Sequence, residues 1–272
     1  INPGLEFEAP MLAHEAAAAN RVKEQLAATV VVGNPPYSGD SGNQGDWITK
    51  LMRTRLADGA DSFFRFNDAD LGERNPKWVN NDYVKFIRLA QSRLATLGTG
   101  VLGYITSNSY LESPTFRGVR QSLLHTYKRL AIIDLHGNSN IGESVEIDQN
   151  VFEIQEGVAI AIGAISSDEK SILCHIDLFG LRESKYEQLG KLLIQNCPSF
   201  VPTGVQLKFV RAESASIDSY ETGWPLPTLL LVNSVGIVTA RDALCIQFTE
   251  KQAWDTVRDF GLRDVEDARA AY

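Results

Sequence analysis

Asn34-Pro35-Pro36-Tyr37 is the stretch of this sequence whose residue types could do chemistry together. An asparagine side chain offers a carbonyl acceptor, and the proline after it leaves a second carbonyl free. Two acceptors held close together suit an NH2 group, which has two hydrogens to donate. Tyr37 adds a flat ring on which a planar heterocycle or amide can stack. None of the four residues is a nucleophile or a metal ligand. Together they would orient an amino group and leave its nitrogen lone pair available.

Such a turn has to be held by the elements around it. The run from Ala28 through Val30, Val31 and Val32 to Gly33 predicts a buried strand, and two adjacent prolines cannot continue one. The turn then lies past the carboxyl end of a strand, where open α/β sheets place their ligand chemistry. Asn2-Pro3-Gly4 reads as a turn, 14–26 as an alanine-rich helix and 47–56 as a short helix. Residues 38–46 read as a loop and 58–80 as irregular. An amphipathic helix over 82–97 puts Tyr83, Ile87, Ala90, Leu94 and Leu97 on one face and ends at Gly98. Lys85, Arg88 and Arg93 fall elsewhere on it, either solvated or facing phosphates.

Further strands are expected over 100–106 and 130–135, with a helix between them starting at Ser113-Pro114. The first of these strands ends in Ser107-Asn108-Ser109-Tyr110. Strand material over 151–165, broken at Gly157, and over 172–178 suggests an antiparallel hairpin linked through 166–170. Helices follow over 182–195 and 251–260, the latter behind Thr249 and Gln252 in capping-box spacing. Strands alternating with helices imply crossover units. The expected fold is α/β: a partial Rossmann-like sheet with flanking helices, largely parallel with an antiparallel edge hairpin.

The totals exclude little. The 272 residues carry a net charge of −8, which argues against a surface gripping nucleic acid throughout. Residues 1–150 are nearly balanced, with 15 basic and 17 acidic side chains, so if a nucleic acid is the partner this part is the better candidate surface. No apolar run is long enough to span a membrane, and the start has no signal-peptide pattern. Cys174, Cys197 and Cys245 are widely spaced, which predicts a cytoplasmic location and free thiols. His14, His125, His136 and His175 are scattered without metal-ligand spacing, so no metal is expected. Ile1 in place of methionine suggests a piece of something longer.

Taken with Ser38-Gly39, the Asn34–Tyr37 turn resembles the catalytic motif of adenine-N6 DNA methyltransferases in large single-chain restriction-modification enzymes. Gly103–Leu111, Phe116–Arg120, Val151–Ile160 and Gly236–Asp242 are similar to downstream segments of those proteins. The resemblance implies a methyltransferase sheet and methyl transfer from S-adenosylmethionine to an adenine flipped out of double-stranded DNA. Asn34 and the Pro35 carbonyl would hold the amino group, with Tyr37 stacked on the base and Pro36, Asn108 and Tyr110 on the substrate side. Asn108 and Tyr110 serve equally well as a loop capping the next helix. Phe152 reads either as a second base contact or as core.

The sequence departs from the family before Asn34, where its glycine-rich cofactor loop should precede. The cofactor pocket is therefore expected to be partial, with Asn34 its contribution from this chain. Residues 1–180 would be the carboxyl-side portion of a methyltransferase domain, and 181–272 an extension toward a DNA-recognition region. The rest of a parent polypeptide would be the partner, and the chain alone is expected to be inactive. The alternatives are an inactive DNA-binding or scaffold module, and a protein-glutamine or RNA methyltransferase.

Overall fold

A computed structural model describes residues 10–25, 27–37, 39, 41–72, 76–143, 147–166, 171–211, 222–224, 226–230, 239 and 241–272. By internal contacts the chain divides into Ile1–Arg211 and Ala212–Tyr272.

In the first unit, helix α1 (Pro10–Gln25) precedes strand β1 (Val30–Gly33), and helix α2 (Asp46–Arg53) follows the proline turn. A small hairpin, β2 (Arg65–Phe66) and β3 (Ala69–Asp70), leads to helix α3 (Asp82–Leu97). Strand β4 (Gly100–Ser107), helix α4 (Arg117–Thr126) and strand β5 (Arg129–Asp134) come next. Strands β6 (Val158–Ile165) and β7 (Ile172–Asp177), helix α5 (Arg182–Lys191) and the short strand β8 (Ser199–Phe200) complete it.

The main sheet has the order β1-β4-β6-β5-β7-β8. β1 runs parallel to β4 and β5 parallel to β7, while β6 is antiparallel to both β4 and β5. The α/β class is as expected, but the hairpin is not: β5 lies between β6 and β7. Val158, Ala159 and Ala161 of β6 are buried, and a strand apolar on both faces gains most inside a sheet. The antiparallel edge strand is β8, on β7.

One sheet face carries the larger core. Leu102, Tyr104, Leu130 and Ile132 meet Val84, Ile87 and Leu94 of α3 and Val119 and Leu123 of α4. Burying each such side chain is worth about 1.5–3 kcal/mol. A smaller cluster of Ile133, Leu135, Val151, Val158 and Leu178 holds Leu189 of α5. Helix α3 has the expected bounds: the Asn81 side chain accepts from the Tyr83 amide, and Gly98 ends it at φ 68°.

Arg93 is exposed, as a solvated helix face would have it, but Lys85 and Arg88 are not. Arg88 is 0% exposed and donates to the carbonyls of Leu51, Thr54 and Asp61 and to Ser122 Oγ. Lys85 is also buried, donating to Ser41 Oγ and the Asn43 carbonyl. These cations satisfy loop carbonyls that pack onto the helix, a tertiary demand that a helical period cannot register. Helix α4 begins only after a 3-10 turn at Pro114–Phe116, and the Ser113 side chain makes no capping bond.

Cys174 and Cys197 form a disulfide with Cα atoms 5.8 Å apart, correcting the expectation of three free thiols. Pairing of β7 with β8 brings the two together across 23 residues of sequence. Cys245 is free and exposed.

In the second unit the described helices include α6 (Leu226–Leu229), α7 (Asp242–Cys245), α8 (Glu250–Leu262) and α9 (Val265–Ala271). Thr249 caps α8 through Gln252, as its spacing predicts. Asn2-Pro3-Gly4, Ser38, most of the 166–170 link and most of Gly236–Asp242 lie outside the described residues. Among the described residues, no helix is long and apolar enough to cross a membrane.

Candidate active site

β1 ends at Gly33, where a Cβ would press on the Tyr104 ring of β4 at 3.2 Å. The chain then turns at the carboxyl end of the strand. Pro35 is buried, Asn34 and Pro36 are exposed, and Tyr37 is half-buried. The Tyr37 hydroxyl lies 2.9 Å from Asn34 Oδ1 and 3.3 Å from the Ile105 carbonyl, and shares its one hydrogen between these acceptors, the asparagine being the nearer. The bond to Asn34 fixes the asparagine amide and leaves its oxygen a second lone pair for an incoming N–H. Burial, and next the nearby Glu156 charge, push the Tyr37 hydroxyl up to about 12, so it remains a donor at neutral pH.

Behind Tyr37 stands a line of aromatic rings. Tyr37 meets Tyr83 edge-on at 6.3 Å, Tyr83 meets Tyr110 at 6.3 Å, and Tyr110 meets Phe209 at 6.4 Å. Tyr110 is 1% exposed, so it is a core side chain supporting the row. Tyr83 was not singled out by sequence reasoning, because its helical spacing marks it equally well as ordinary core.

Glu156 was missed as well. Its Oε1 accepts from Ser107 and Ser109 at the end of β4, and its charge bears on both Tyr37 and Tyr83. Nothing in the sequence distinguishes this glutamate from Glu153 until β6 folds back beside β4.

Asn108 sits between strand ends. Its amide nitrogen donates to Asp134 Oδ1 of β5 at 3.1 Å, and its backbone N–H donates to the Gly157 carbonyl. A Cβ on Gly157 would lie 2.7 Å from the Asn108 side-chain amide, which would have to shift to admit it.

Phe152 is not in a strand. Residues 151–156 form bends before β6, and the Phe152 amide donates to Asn150 Oδ1. Its ring packs against the smaller core cluster, as Tyr37 does. It also lines a cleft of about 610 Å³ with Gly137, Asn150, Gln155 and Arg182. The fold thus collects Asn34–Tyr37, Asn108 and Phe152 among the carboxyl ends of β1, β4 and β5 and the approach to β6, and keeps Tyr110 inside.

This six-stranded mixed sheet with flanking helices is a fold shared with solved restriction-modification enzymes. Residues 9–141, which include the proline turn and the 103–120 segments, match the Eco57I restriction-modification methylase family. The resemblance read from those residues is thereby borne out. Among solved structures, the ATP-dependent Type ISP restriction-modification enzyme LlaBIII bound to DNA superposes with a TM-score of 0.64. It is 18% identical over 94% of this chain and 18% of that one. A nuclease-deletion mutant of the Type ISP restriction-modification enzyme LlaGI, in complex with a DNA substrate mimic, also gives 0.64, at 20% identity over 89% of this chain and 24% of that one. The DrdV–DNA complex gives the same score and identity, covering 25% of its chain. The chain therefore spans no more than about a quarter of these structures. A search of curated protein sequences finds no match.

Proposed function

We propose that this chain carries the amino-group end of an adenine-N6 DNA methyltransferase active site, working within a longer restriction-modification polypeptide. The observation that carries the reading is the Asn34–Tyr37 turn at the end of β1, with Asn34 Oδ1 held by the Tyr37 hydroxyl. The second lone pair of that oxygen and the Pro35 carbonyl would receive the two hydrogens of an adenine amino group. Tyr37 would stack on the flipped base, with Phe152 on its other face or edge. Rate acceleration would come from positioning and fixed dipoles, without a covalent intermediate. The match over residues 9–141 supports the reaction class, and the DNA-bound relatives support DNA as partner.

The residues present fit only part of a cofactor site. Asn34 is the single candidate contact, and α1 is the described element that precedes β1. S-adenosylmethionine would supply the methyl group from a pocket completed outside this chain. The edge of β1 supports that division. Among the described residues β1 pairs on one side only, and Val30 and Val32 are 61% and 76% exposed. An apolar strand edge of this kind calls for cover, which the remainder of the polypeptide would provide.

The test is methyl transfer from labelled S-adenosylmethionine to duplex DNA, with the modified base identified by mass spectrometry. The full-length protein of the same gene should form N6-methyladenine, and residues 1–272 alone should not. A full-length protein that binds DNA without methylating it would instead establish the scaffold alternative.

A further inference from the structure

Where β5 and β7 end side by side, Asp134 stands opposite Asp177, and His175 lies two residues before Asp177 on the same strand. Side chains two apart share a sheet face, so all three project to the same side. Ligand atoms of Asp134, His175 and Asp177 lie within 4.8 Å of one another.

The usual account of such a group is a hydrogen-bonded network, and it explains part of this one. His136 lies between Asp177 Oδ1 at 2.8 Å and Glu143 Oε1 at 3.1 Å. Asp134 Oδ1 accepts from Asn108 and from the His136 amide, while among the described residues no hydrogen bond reaches its Oδ2. That network does not account for His175. The residue is 6% exposed, its buried Nε2 has no partner, and its Nδ1 stands 3.6 Å from Asp177 Oδ2, outside hydrogen-bond range. Buried polar groups are almost always satisfied, so a buried imidazole whose Nε2 has no partner among the described residues points to a missing ligand.

We propose that Asp134, His175 and Asp177 bind one first-row divalent transition cation. An imidazole nitrogen with two carboxylates suits the series from Mn²⁺ to Zn²⁺, whereas Mg²⁺ and Ca²⁺ prefer oxygen ligands alone. Bonds of about 2.0–2.2 Å require the three side chains to draw inward by small rotations. Water would complete the coordination. The cation would join the ends of β5 and β7 and, through Asp134 and Asn108, steady the end of β4 beside the candidate active site. The inference stands apart from the methyl-transfer reading, since it concerns binding and not the reaction.

Calorimetric titration of the metal-free 272-residue chain with Zn²⁺ tests it, with Mn²⁺ and Mg²⁺ run separately. Cys245→Ser serves as background, to remove the free thiol. One equivalent of Zn²⁺ should bind at micromolar affinity or better and raise the melting temperature, Mn²⁺ should bind more weakly, and Mg²⁺ should not bind. His175→Gln and Asp177→Asn should each weaken Zn²⁺ at least tenfold, while His125→Gln should not. The Asp177 carboxylate is half-exposed, so this variant should keep its fold, and it decides the matter if His175→Gln does not. Absence of stoichiometric Zn²⁺ binding, equal binding of Mg²⁺, or undiminished Zn²⁺ binding in Asp177→Asn would overturn the proposal.

Discussion

At the scale of single residues, Tyr37 has two separable parts. Its ring is the proposed stacking surface, and its hydroxyl holds Asn34 Oδ1 and the Ile105 carbonyl. Tyr37→Phe keeps the ring and frees the asparagine amide to rotate, whereas Tyr37→Ala removes both. Steady-state methylation by the full-length protein should separate them. Alanine should raise the KM for DNA as expected for a lost stacking interaction of about 1–3 kcal/mol, while phenylalanine should mainly lower kcat. Identical behaviour of the two variants would remove stacking from the account. The turn was legible in the sequence because it is contiguous and its chemistry lies in residue type. Tyr83 and Glu156 were not, since they act only once α3 and the approach to β6 are packed against β4.

At the scale of elements, local signals were read well and non-local ones poorly. Helix α3 between Asn81 and Gly98, and α8 behind Thr249, follow from caps written in adjacent residues. The insertion of β6 between β4 and β5 depends on pairing partners far apart in sequence, which alternation of strand and helix does not encode. Burial of Lys85 and Arg88 likewise depends on loops that fold onto α3. One close packing is open to direct test. A Cβ on Gly118 would lie 2.5 Å from the Arg65 carbonyl oxygen and 2.7 Å from that of Phe63, so α4 can approach the β2–β3 hairpin only through glycine. Gly118→Ala should destabilise the chain by about 1–3 kcal/mol in urea unfolding, as overpacking does. Gly190→Ala in α5, with nothing within 4 Å, should be neutral or stabilising. Equal effects of the two would show that the hairpin does not constrain α4.

At the scale of the molecule, the proposed function makes the sheet one side of a larger assembly. Its proline turn faces whatever lies beyond the carboxyl end of β1, and the open edge of that strand carries exposed valines. The likeness to solved structures covers 89–94% of this chain and 18–25% of theirs. The central claim is that Asn34 orients the amino group that receives the methyl. Its most direct test is single-turnover methyl transfer by the full-length protein and its Asn34→Ala variant, with DNA binding measured in parallel. The expected result is a fall in rate of about 10²-fold or more, the magnitude typical of losing one positioned polar contact to the reacting group, with DNA affinity little changed. An Asn34→Ala protein that methylates DNA at the wild-type rate would contradict the account.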